Sequence, residues 1–467
     1  MDTIRNLQWN QWYLYLLELP MPSETPFDLK FTSREVTAWG GLALLKRMLD
    51  GMGFKEAVQS WDLPPPRSNR GYRPEQLIEQ MMVSIWCGAA RFAHADITRL
   101  DTTLVRLFDW GKAAGHKAIV RLFQRFDQPI ATRVQTSSYR WLFDTLRLNP
   151  ITLDVDSTVL TRWGSQIEGA AKGYNAKNKG RASHHPLMAF VADWRLVANF
   201  WLRPGNTASS NNFESFIEST LDNLGQTRVG LLRADSGFYD KAVVALLADK
   251  KINHIISARL TQGLQQAIVD QCKWQQVEVG LQVSELLYHP QGWQTPQRMV
   301  VVRQHIQRKN GAVAGKTMSL FTDDPDLQGW RYGAMLTDLS LPALEVWRLY
   351  RGRADCENRI KELKADFGLG SFVLRDFWAT EAALGVTMLS YNLMSVFRHA
   401  VLRQKVHHTL STLHHQVLAV GALWDDSTKN TKQTFRLAVA RKRRPWFEGL
   451  WANAGEPVKL AAMPSES

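Results

Sequence analysis

The sequence has few cysteines, no excess of acidic residues and no long apolar run. Its 467 residues include three cysteines, Cys87, Cys272 and Cys356, which lie far apart and form no CxxC pair. This spacing indicates neither a disulfide framework nor a zinc knuckle, and it suits a reducing compartment. The longest apolar runs, such as MMVSIWCGAA from Met81, are shorter than the roughly 20 residues that a bilayer requires. The N-terminal stretch MDTIRNLQWNQW lacks a signal-peptide pattern. We therefore expect a cytoplasmic protein with no membrane partner.

What the sequence does have in excess is positive charge and tryptophan. Lysine and arginine number 57 against 44 acidic residues, which gives a net charge of +13, and there are 18 tryptophans. The charge favours a polyanionic partner, nucleic acid before an acidic membrane surface. Tryptophan can stack on bases as well as pack in a core. Apolar content of 45% and charged content of 22% are typical of a folded protein, and the length predicts more than one domain.

The middle of the chain alternates between strand and helix patterns. A hairpin is predicted with its turn near Asp193, followed by a helix over about 211–224 with Ser209 or Ser210 as its N-cap. The order of three strands, a helix, a strand, a helix and a strand is that of a ribonuclease H-like α/β domain. Strand patterns then continue as far as KTMSLFTDD, residues 316–324.

The order of elements divides the chain into five predicted regions. The fold class is α/β: a ribonuclease H-like catalytic domain is interrupted by a β-rich insertion and flanked by helical N- and C-terminal regions. The regions are residues 1–148 (helical, DNA-binding), 149–258 (first part of the ribonuclease H-like domain), 259–328 (β-rich insertion), 329–379 (second part, with a long helix) and 380–467 (helical and basic).

Acidic residues occur where two of the predicted strands end. In LDVDST, Asp154 and Asp156 lie two apart and so point to the same side of a strand, and Asp235 in LLRADSGF ends another strand. An aspartate at the end of a buried strand is costly unless it is hydrogen-bonded or binds a cation. Each alone could be a turn or capping residue. Together they are typical of half a metal site.

A long helix is predicted from Leu341 to about Phe367. At 100° per residue, five of its residues lie within an arc of about 80°: Tyr350, Arg353, Glu357, Lys361 and Lys364. An exposed ion pair between Glu357 and Lys361 is the simpler interpretation, but it does not explain the aromatic residue and the arginine on the same stripe. A third carboxylate here would complete an oxygen site for Mg²⁺, flanked by cations able to hold DNA phosphates.

Two basic segments are further candidates for DNA contact. The segment HKAIVRLFQRF is either a recognition helix or a solvated basic face, and its cations are Lys117, Arg121 and Arg125. The loop KGYNAKNKGR follows the strand of the first aspartate and either touches DNA or remains solvated. Its cations are Lys172, Lys177, Lys179 and Arg181.

These motifs resemble those of a known family. The spacing Y-x2-R-x3-E-x6-K, met by Tyr350, Arg353, Glu357 and Lys364, resembles the signature of a superfamily of bacterial insertion-sequence DDE transposases. The combination of DVDSTV, EGAAKGYN, GRASHHPLMAF, RPGNT and RADSGFYD resembles more narrowly the DDE transposases of group 1. The resemblance covers roughly residues 32–450.

The resemblance implies roles for particular residues. It implies a catalytic, metal-binding triad of Asp156, Asp235 and Glu357, with Mg²⁺ as the cofactor and Mn²⁺ as a substitute. It implies contacts to phosphates near the cleaved DNA end by Tyr350, Arg353, Lys361 and Lys364. Relatives that form a DNA hairpin hold a flipped base with a tryptophan, for which Trp330 is the nearest candidate, with Tyr332 and Trp293 as alternatives.

The function implied is that of a DNA transposase from a bacterial insertion sequence. Such an enzyme binds terminal inverted repeats, cuts the element ends and joins the 3′-hydroxyls to target DNA by two-metal-ion phosphoryl transfer. Its expected partners are double-stranded DNA and a second copy of the chain, a homodimer in a synaptic complex, and its expected location is the bacterial nucleoid. Two alternatives are a catalytically inactive DNA-binding relative and a stand-alone nuclease of the same fold.

Overall fold

The computed structural model describes residues 28–66, 68, 71–148, 150–305, 329–425, 433–458 and 460, and a mixed nine-stranded sheet lies at its centre. In spatial order, the strands are Gln275–Glu278, Leu281–Tyr288, Gln297–His305, Trp330–Thr337, Asn253–Ser257, Val229–Ala234, Ile151–Ser157, Leu187–Val191 and Leu196–Trp201. The strands Asn253–Ser257, Val229–Ala234 and Ile151–Ser157 run parallel, and the remaining pairs are antiparallel.

The three parallel strands have apolar runs because both faces of a central sheet are covered. The helix Phe377–Phe397 packs on the sheet beside Leu196–Trp201, where the Asn392 amide bonds both the backbone N–H and the carbonyl of Val197, at 2.7 and 2.8 Å. The same helix accepts a hydrogen bond from the indole of Trp86 at 3.0 Å. The N-terminal and C-terminal helices therefore share one apolar core with the sheet.

The helices surround the sheet and account for both ends of the described chain. They are Leu42–Gly51, Phe54–Gln59, Pro74–Trp86, Ala95–Arg99, Thr102–Leu107, His116–Phe123, Gln128–Leu146, Phe213–Leu224, Lys241–Asp249, Gln262–Gln271, Ala343–Arg351, Ala354–Ala365, Phe377–Phe397, Leu410–Leu413 and Arg444–Ala454. Short 3-10 or π turns are Phe92–His94, Ser236–Phe238, Arg398–Leu402, His414–Leu418 and Arg441–Arg443. Across the described ranges, no helix combines the length and the apolarity needed to cross a bilayer.

Two small sheets complete the fold. The first joins the two ends of the described chain and comprises Val36–Thr37, Ala422–Asp425 and Thr434–Leu437. The second follows the Asp156 strand directly and comprises Leu160–Thr161, Ala182–His184 and Ala171–Lys172. The second sheet places the predicted basic loop next to the C-terminal ends of the parallel strands.

The structure bears on several of the sequence predictions. The strands between residues 275 and 305 pair into the central sheet through Trp330–Thr337, whose Thr337 pairs with Ile255. A helix, Gln262–Gln271, lies at the start of the region 259–328, which is predicted to be β-rich. The helix Phe213–Leu224 follows Asn212, which has a φ of 60° and no side-chain cap bond, so the predicted serine cap is wrong. The predicted hairpin near Asp193 is confirmed. The predicted strand 316–324 lies outside the described residues.

The predicted long helix is wrong in one respect, because it is divided into Ala343–Arg351 and Ala354–Ala365. Arg233, on a central strand, donates to the carbonyl of Leu349, the acceptor that a continuous helix would use for the Arg353 N–H. That N–H instead bonds Tyr350 O at 3.0 Å. At the break, a Cβ on Gly352 would lie 2.6 Å from the Arg233 guanidinium. The interruption is therefore caused by a tertiary contact.

Candidate active site

The two aspartates of the predicted triad lie side by side at one edge of the central sheet. Val155 pairs with Ala234 across parallel strands, so Asp156 and Asp235 follow at neighbouring positions. Asp156 is 8% exposed and accepts the Ser157 N–H at 2.8 Å. Asp235 accepts the Gly237 N–H at 2.9 Å, which fixes its carboxylate where the strand turns.

The electrostatics of Asp156 connect all three acids. Burial raises the pKa of Asp156 to about 6; the Arg353 charge and the Ser157 N–H oppose the rise, while the negative charges of Asp235 and Glu357 add to it. Glu357 lies on the helix Ala354–Ala365 and is exposed. The structure therefore brings Asp156, Asp235 and Glu357 close enough for their charges to interact.

Arg353 supplies the counter-charge that Asp156 has in this structure. Its Nη2 lies 3.2 Å from Asp156 Oδ1, and the residue is 7% exposed. Burial disfavours the charged guanidinium, but Asp156, Tyr350 and Asp235 outweigh this and raise the pKa of Arg353. Burial also raises the pKa of Tyr350, and the nearby Arg353 and Ser257 partly oppose the rise. Arg353 and Tyr350 are thus held beside the aspartates.

The donor set fits Mg²⁺ in type, but the ligands are not gathered around one point. Within the described residues, no three histidine, cysteine, aspartate or glutamate side chains are close enough to hold a metal ion. Carboxylate oxygens are the ligands that Mg²⁺ prefers. Here, however, one carboxylate, Asp156, is paired with Arg353. The acids share an electrostatic environment without forming a closed coordination sphere.

The structure separates the two aspartates of LDVDST. Asp154 is fully buried and bonds Arg233 at 2.7 and 3.0 Å, with Arg359 at 3.5 Å. A buried carboxylate between two arginines is a structural charge pair, since removing one partner leaves an uncompensated charge. Asp154 therefore anchors the helix Ala354–Ala365 to the sheet, and Asp156 is the aspartate of the site.

Lysine side chains lie at the edge of the site. Lys364 donates from Nζ to Thr158 Oγ1 at 2.6 Å and to Val159 O at 3.1 Å. Partial desolvation and the nearby charge of Lys177 lower the pKa of Lys364. Lys361 is exposed on the same helix. Lys364 therefore fixes the segment after the Asp156 strand, and the basic loop lies within electrostatic range.

The basic loop is anchored to the second small sheet. The side chains of Asn175 and Asn178 both donate to Thr161 Oγ1, at 3.0 and 3.1 Å. Its cations remain exposed: Lys172, Lys177, Lys179 and Arg181. Of these cations, Lys177 is near enough to Lys364 for its charge to act on it. Contact of the four residues with DNA stays a prediction.

Trp330 lies at the start of the strand Trp330–Thr337. The guanidinium of Arg303 lies 4.6 Å from its ring centroid, and the ring of His305 meets it edge-on at 5.3 Å. The side chain also packs partly buried against a secondary apolar cluster. A role for Trp330 in holding a flipped base stays a prediction.

Sequence reasoning missed Arg203, which organises a loop beside the site. This buried arginine donates to the carbonyls of His185, Ala208, Ser209 and Asn211 at 2.9–3.2 Å. The hydroxyl of Ser209 lies 3.0 Å from that of Ser157. The one signal in the sequence was an arginine at the end of a strand, directly before Pro-Gly. That signal identifies a turn and gives no acceptor.

The segment from His116 remains open between two interpretations. Its helix, His116–Phe123, exposes Lys117 and Arg121, whereas Arg125 donates to the carbonyls of Pro64 and Pro65. Two exposed cations suit either a DNA-facing helix or a solvated face.

With the fold and site described, the comparisons identify the class of protein. A family model, the transposase DDE domain group 1, matches residues 20–451, so the chain belongs to this family of DDE transposases. Among solved structures, the chain is similar to a piggyBac transposase in a synaptic complex with hairpin DNA, at 10% identity and a TM-score of 0.42. That match covers 82% of this chain and 81% of the other. No curated protein sequence matches the chain.

Proposed function

We propose that the protein is the transposase of a bacterial insertion sequence, which cuts the ends of its element and joins the freed 3′-hydroxyls to target DNA. Membership of the DDE transposase family supports the class of reaction. The observation that carries the proposal is that Asp156 and Asp235 follow paired positions of two parallel strands, with Glu357 near enough for its charge to act on the buried carboxyl of Asp156. Perturbed carboxyl groups at the edge of a sheet are typical of catalytic sites.

In this proposal, Asp156, Asp235 and Glu357 are the residues that would hold Mg²⁺ or Mn²⁺. When bound, such ions activate the attacking water or hydroxyl and stabilise the leaving oxygen in phosphoryl transfer. Asp156 and Asp235 are fixed by backbone N–H groups, at 2.8 and 2.9 Å, before any ligand arrives. Glu357 is exposed, so its carboxylate is accessible to an ion or to DNA that arrives from solvent.

The cations of the site have a different task, which is to hold the DNA strand. Lys361 and Lys364 neutralise phosphate charge along the scissile strand, with Lys172, Lys177, Lys179 and Arg181 extending the basic surface. Arg353 pairs with Asp156 at 3.2 Å, and an incoming phosphate competes for this guanidinium because arginine binds phosphate oxygens well. Tyr350 lies next to the pair and completes the phosphate-binding group.

The proposal includes the partners and the location. Terminal inverted repeats and target DNA are the substrates, and two copies of the chain act together in a synaptic complex in the bacterial nucleoid. The net charge of +13 supports binding to DNA along an extended surface.

The experiment is a cleavage and joining assay. Labelled duplexes that carry the inverted repeats flanking the gene are incubated with Mg²⁺ and a target plasmid, using wild type, Asp235→Asn and Asp193→Asn. Asp193 is a matched control because it is exposed in the hairpin turn at the opposite end of the sheet. We expect cutting and joining by wild type and Asp193→Asn, and neither by Asp235→Asn. If wild type binds the DNA without cutting it, the protein is a catalytically inactive DNA-binding relative. If it nicks the DNA and forms no joined product, it is a stand-alone nuclease.

A further inference from the structure

Trp163 is an exposed tryptophan with no role yet assigned in the candidate site. It is 71% exposed, and neither it nor the 76% exposed Tyr174 belongs to an apolar cluster among the described residues. Burial of an aromatic ring is what stabilises a fold, so rings this open contribute little to stability. Their exposure therefore calls for a different explanation.

The residues before Trp163 and directly after Tyr174 are anchored by hydrogen bonds. Arg162 is buried, and its guanidinium bonds His184 Nδ1 at 2.9 Å and Gly370 O at 2.8 Å. Thr161 accepts from Asn175, the residue that follows Tyr174. Both rings are therefore carried by one anchored corner of the second small sheet.

This corner adjoins the site. Thr158 and Val159, which accept the hydrogen bonds from Lys364, lie on the same segment between Asp156 and Trp163. Residues 161–181 include five basic residues and one acid, and that acid, Glu168, accepts the Phe377 N–H at 2.7 Å. The surroundings of the rings are therefore positively charged, and Trp163 lies on the segment that leaves the Asp156 strand past Lys364.

We propose that Trp163, supported by Tyr174, stacks against an unpaired base of DNA at the cleaved end. Exposed aromatic rings among cations bind single-stranded nucleic acid, because every base has a π face and the cations follow the backbone. The guanidinium of Arg181, 5.0 Å from the Trp163 ring centroid, adds a cation at the same point. The ring cannot stack on a base that is still inside the duplex, and a base is least costly to unpair at a broken or frayed end. The inference rests on the proposed function, because it assigns the ring to the strand that the carboxylates cut.

The test is base stacking, read by fluorescence without any cutting. A single-stranded oligonucleotide and a blunt duplex, each with a terminal 2-aminopurine, are titrated in EDTA with wild type, Trp163→Ala, Trp163→Phe and Trp451→Ala. Trp451 is a matched control, since it is 48% exposed and lies under a guanidinium, that of Arg47, at 4.2 Å. Melting temperatures and sedimentation are recorded for each variant.

Expected results follow from stacking. Wild type, Trp163→Phe and Trp451→Ala quench the fluorescence, whereas Trp163→Ala abolishes the quench and weakens single-strand binding about tenfold or more. Blunt-duplex affinity stays within about twofold, since phosphate contacts dominate there. An unchanged quench in Trp163→Ala overturns the proposal, as does an equal loss for both substrates. A change in sedimentation alone overturns it too and assigns the ring to a second copy of the chain.

A further variant separates this inference from the proposed function. Glu357→Gln is expected to lose cutting and to keep the Trp163-dependent quench. If wild type cuts DNA but shows no Trp163-dependent quench, the stacking proposal is wrong and the proposed function stands. If the quench depends on Trp163 but wild type does not cut DNA, the proposed function is wrong and the stacking proposal stands.

Discussion

The guanidinium of Arg353 lies 3.2 Å from the carboxylate of Asp156, and both side chains are about nine-tenths buried. A buried carboxylate needs a positive partner, and in this structure an arginine supplies it. The same arginine begins the helix that carries Glu357. Under the proposed function, pairing of Arg353 with Asp156 therefore competes with assembly of the three acids around a cation.

Replacing Arg353 should increase the stabilisation of the protein by divalent cations. Arg353→Gln leaves Asp156 buried without a counter-charge, so in EDTA we expect a loss of about 3–5 kcal/mol. Adding Mg²⁺ should then raise the melting temperature more in the variant than in wild type, since a ligand that binds only the native state contributes about 2.7 kcal/mol at 100 times its Kd. Differential scanning fluorimetry across a Mg²⁺ series measures both.

The matched control for that prediction is the double variant Asp156→Asn with Arg353→Gln. It lacks the ligand as well as the competing cation, so it should show little Mg²⁺ response. Equal Mg²⁺ shifts in wild type and Arg353→Gln would mean that the arginine does not compete with a cation.

The neighbouring aspartates should respond differently to amide substitution. Asp154→Asn leaves Arg233 and Arg359 without their shared carboxylate and should cost about 3–5 kcal/mol of unfolding free energy. Asp156→Asn should cost less, because it leaves one buried arginine unpaired where Asp154→Asn leaves two. Burial also raises the pKa of the Asp156 carboxyl to about 6, so the amide removes a charge that is already disfavoured. Urea denaturation at neutral pH compares the two. A larger loss for Asp156→Asn would reverse the assignment of roles.

Much of the candidate site could be predicted because its parts are local. Strand alternation placed Asp156 and Asp235 at strand ends, and parallel neighbours bring such ends to one edge of a sheet. Spacing alone could not choose between Asp154 and Asp156, since both point to the same side. That choice depends on two arginines that lie 79 residues or more away in the chain and pair with Asp154. A periodic pattern in the sequence cannot predict such a contact.

The parts of the fold that could not be predicted depend on long-range contacts. The helix break at Gly352 is caused by Arg233, 116 residues from the carbonyl it captures. The strands predicted as an insertion join the central sheet through the pairing of Thr337 with Ile255. Such pairings are decided by packing. The pattern of a strand indicates which of its faces is buried, but it does not determine which other strand lies next to it.

A second buried acid predicts a pH dependence of stability. Glu381, 5% exposed, accepts one hydrogen bond, from the Leu202 N–H, and burial raises its pKa from 4.5 to about 8. The native state therefore binds a proton that the unfolded state has released, so stability is highest below about pH 4.5 and falls between about pH 4.5 and 8. The fall should be about 5 kcal/mol in all, at roughly 1.4 kcal/mol per pH unit.

Glu381→Gln should remove that fall, because an amide does not titrate. The difference in unfolding free energy between the variant and wild type should grow in favour of the variant from pH 5 to 8 and level off above pH 8. Urea denaturation at each pH measures it, and the contributions of other titrating groups cancel in the difference. A difference that stays constant with pH would show that Glu381 is ionised in the native state.

The basic loop should depend on one glycine contact. Gly173 lies against the backbone of Gly205, and a Cβ on Gly173 would overlap the Gly205 carbonyl oxygen. Because backbone cannot yield as a flexible side chain does, Gly173→Ala should cost about 1–3 kcal/mol. It should also increase amide exchange over residues 171–184 and weaken DNA binding. Gly111→Ala is the matched control, since a Cβ there meets nothing within 4 Å.

If Gly173→Ala left exchange and DNA affinity unchanged, the loop would hold its position without this contact. Its cations would then owe their place beside Lys364 to the asparagine bonds with Thr161 alone.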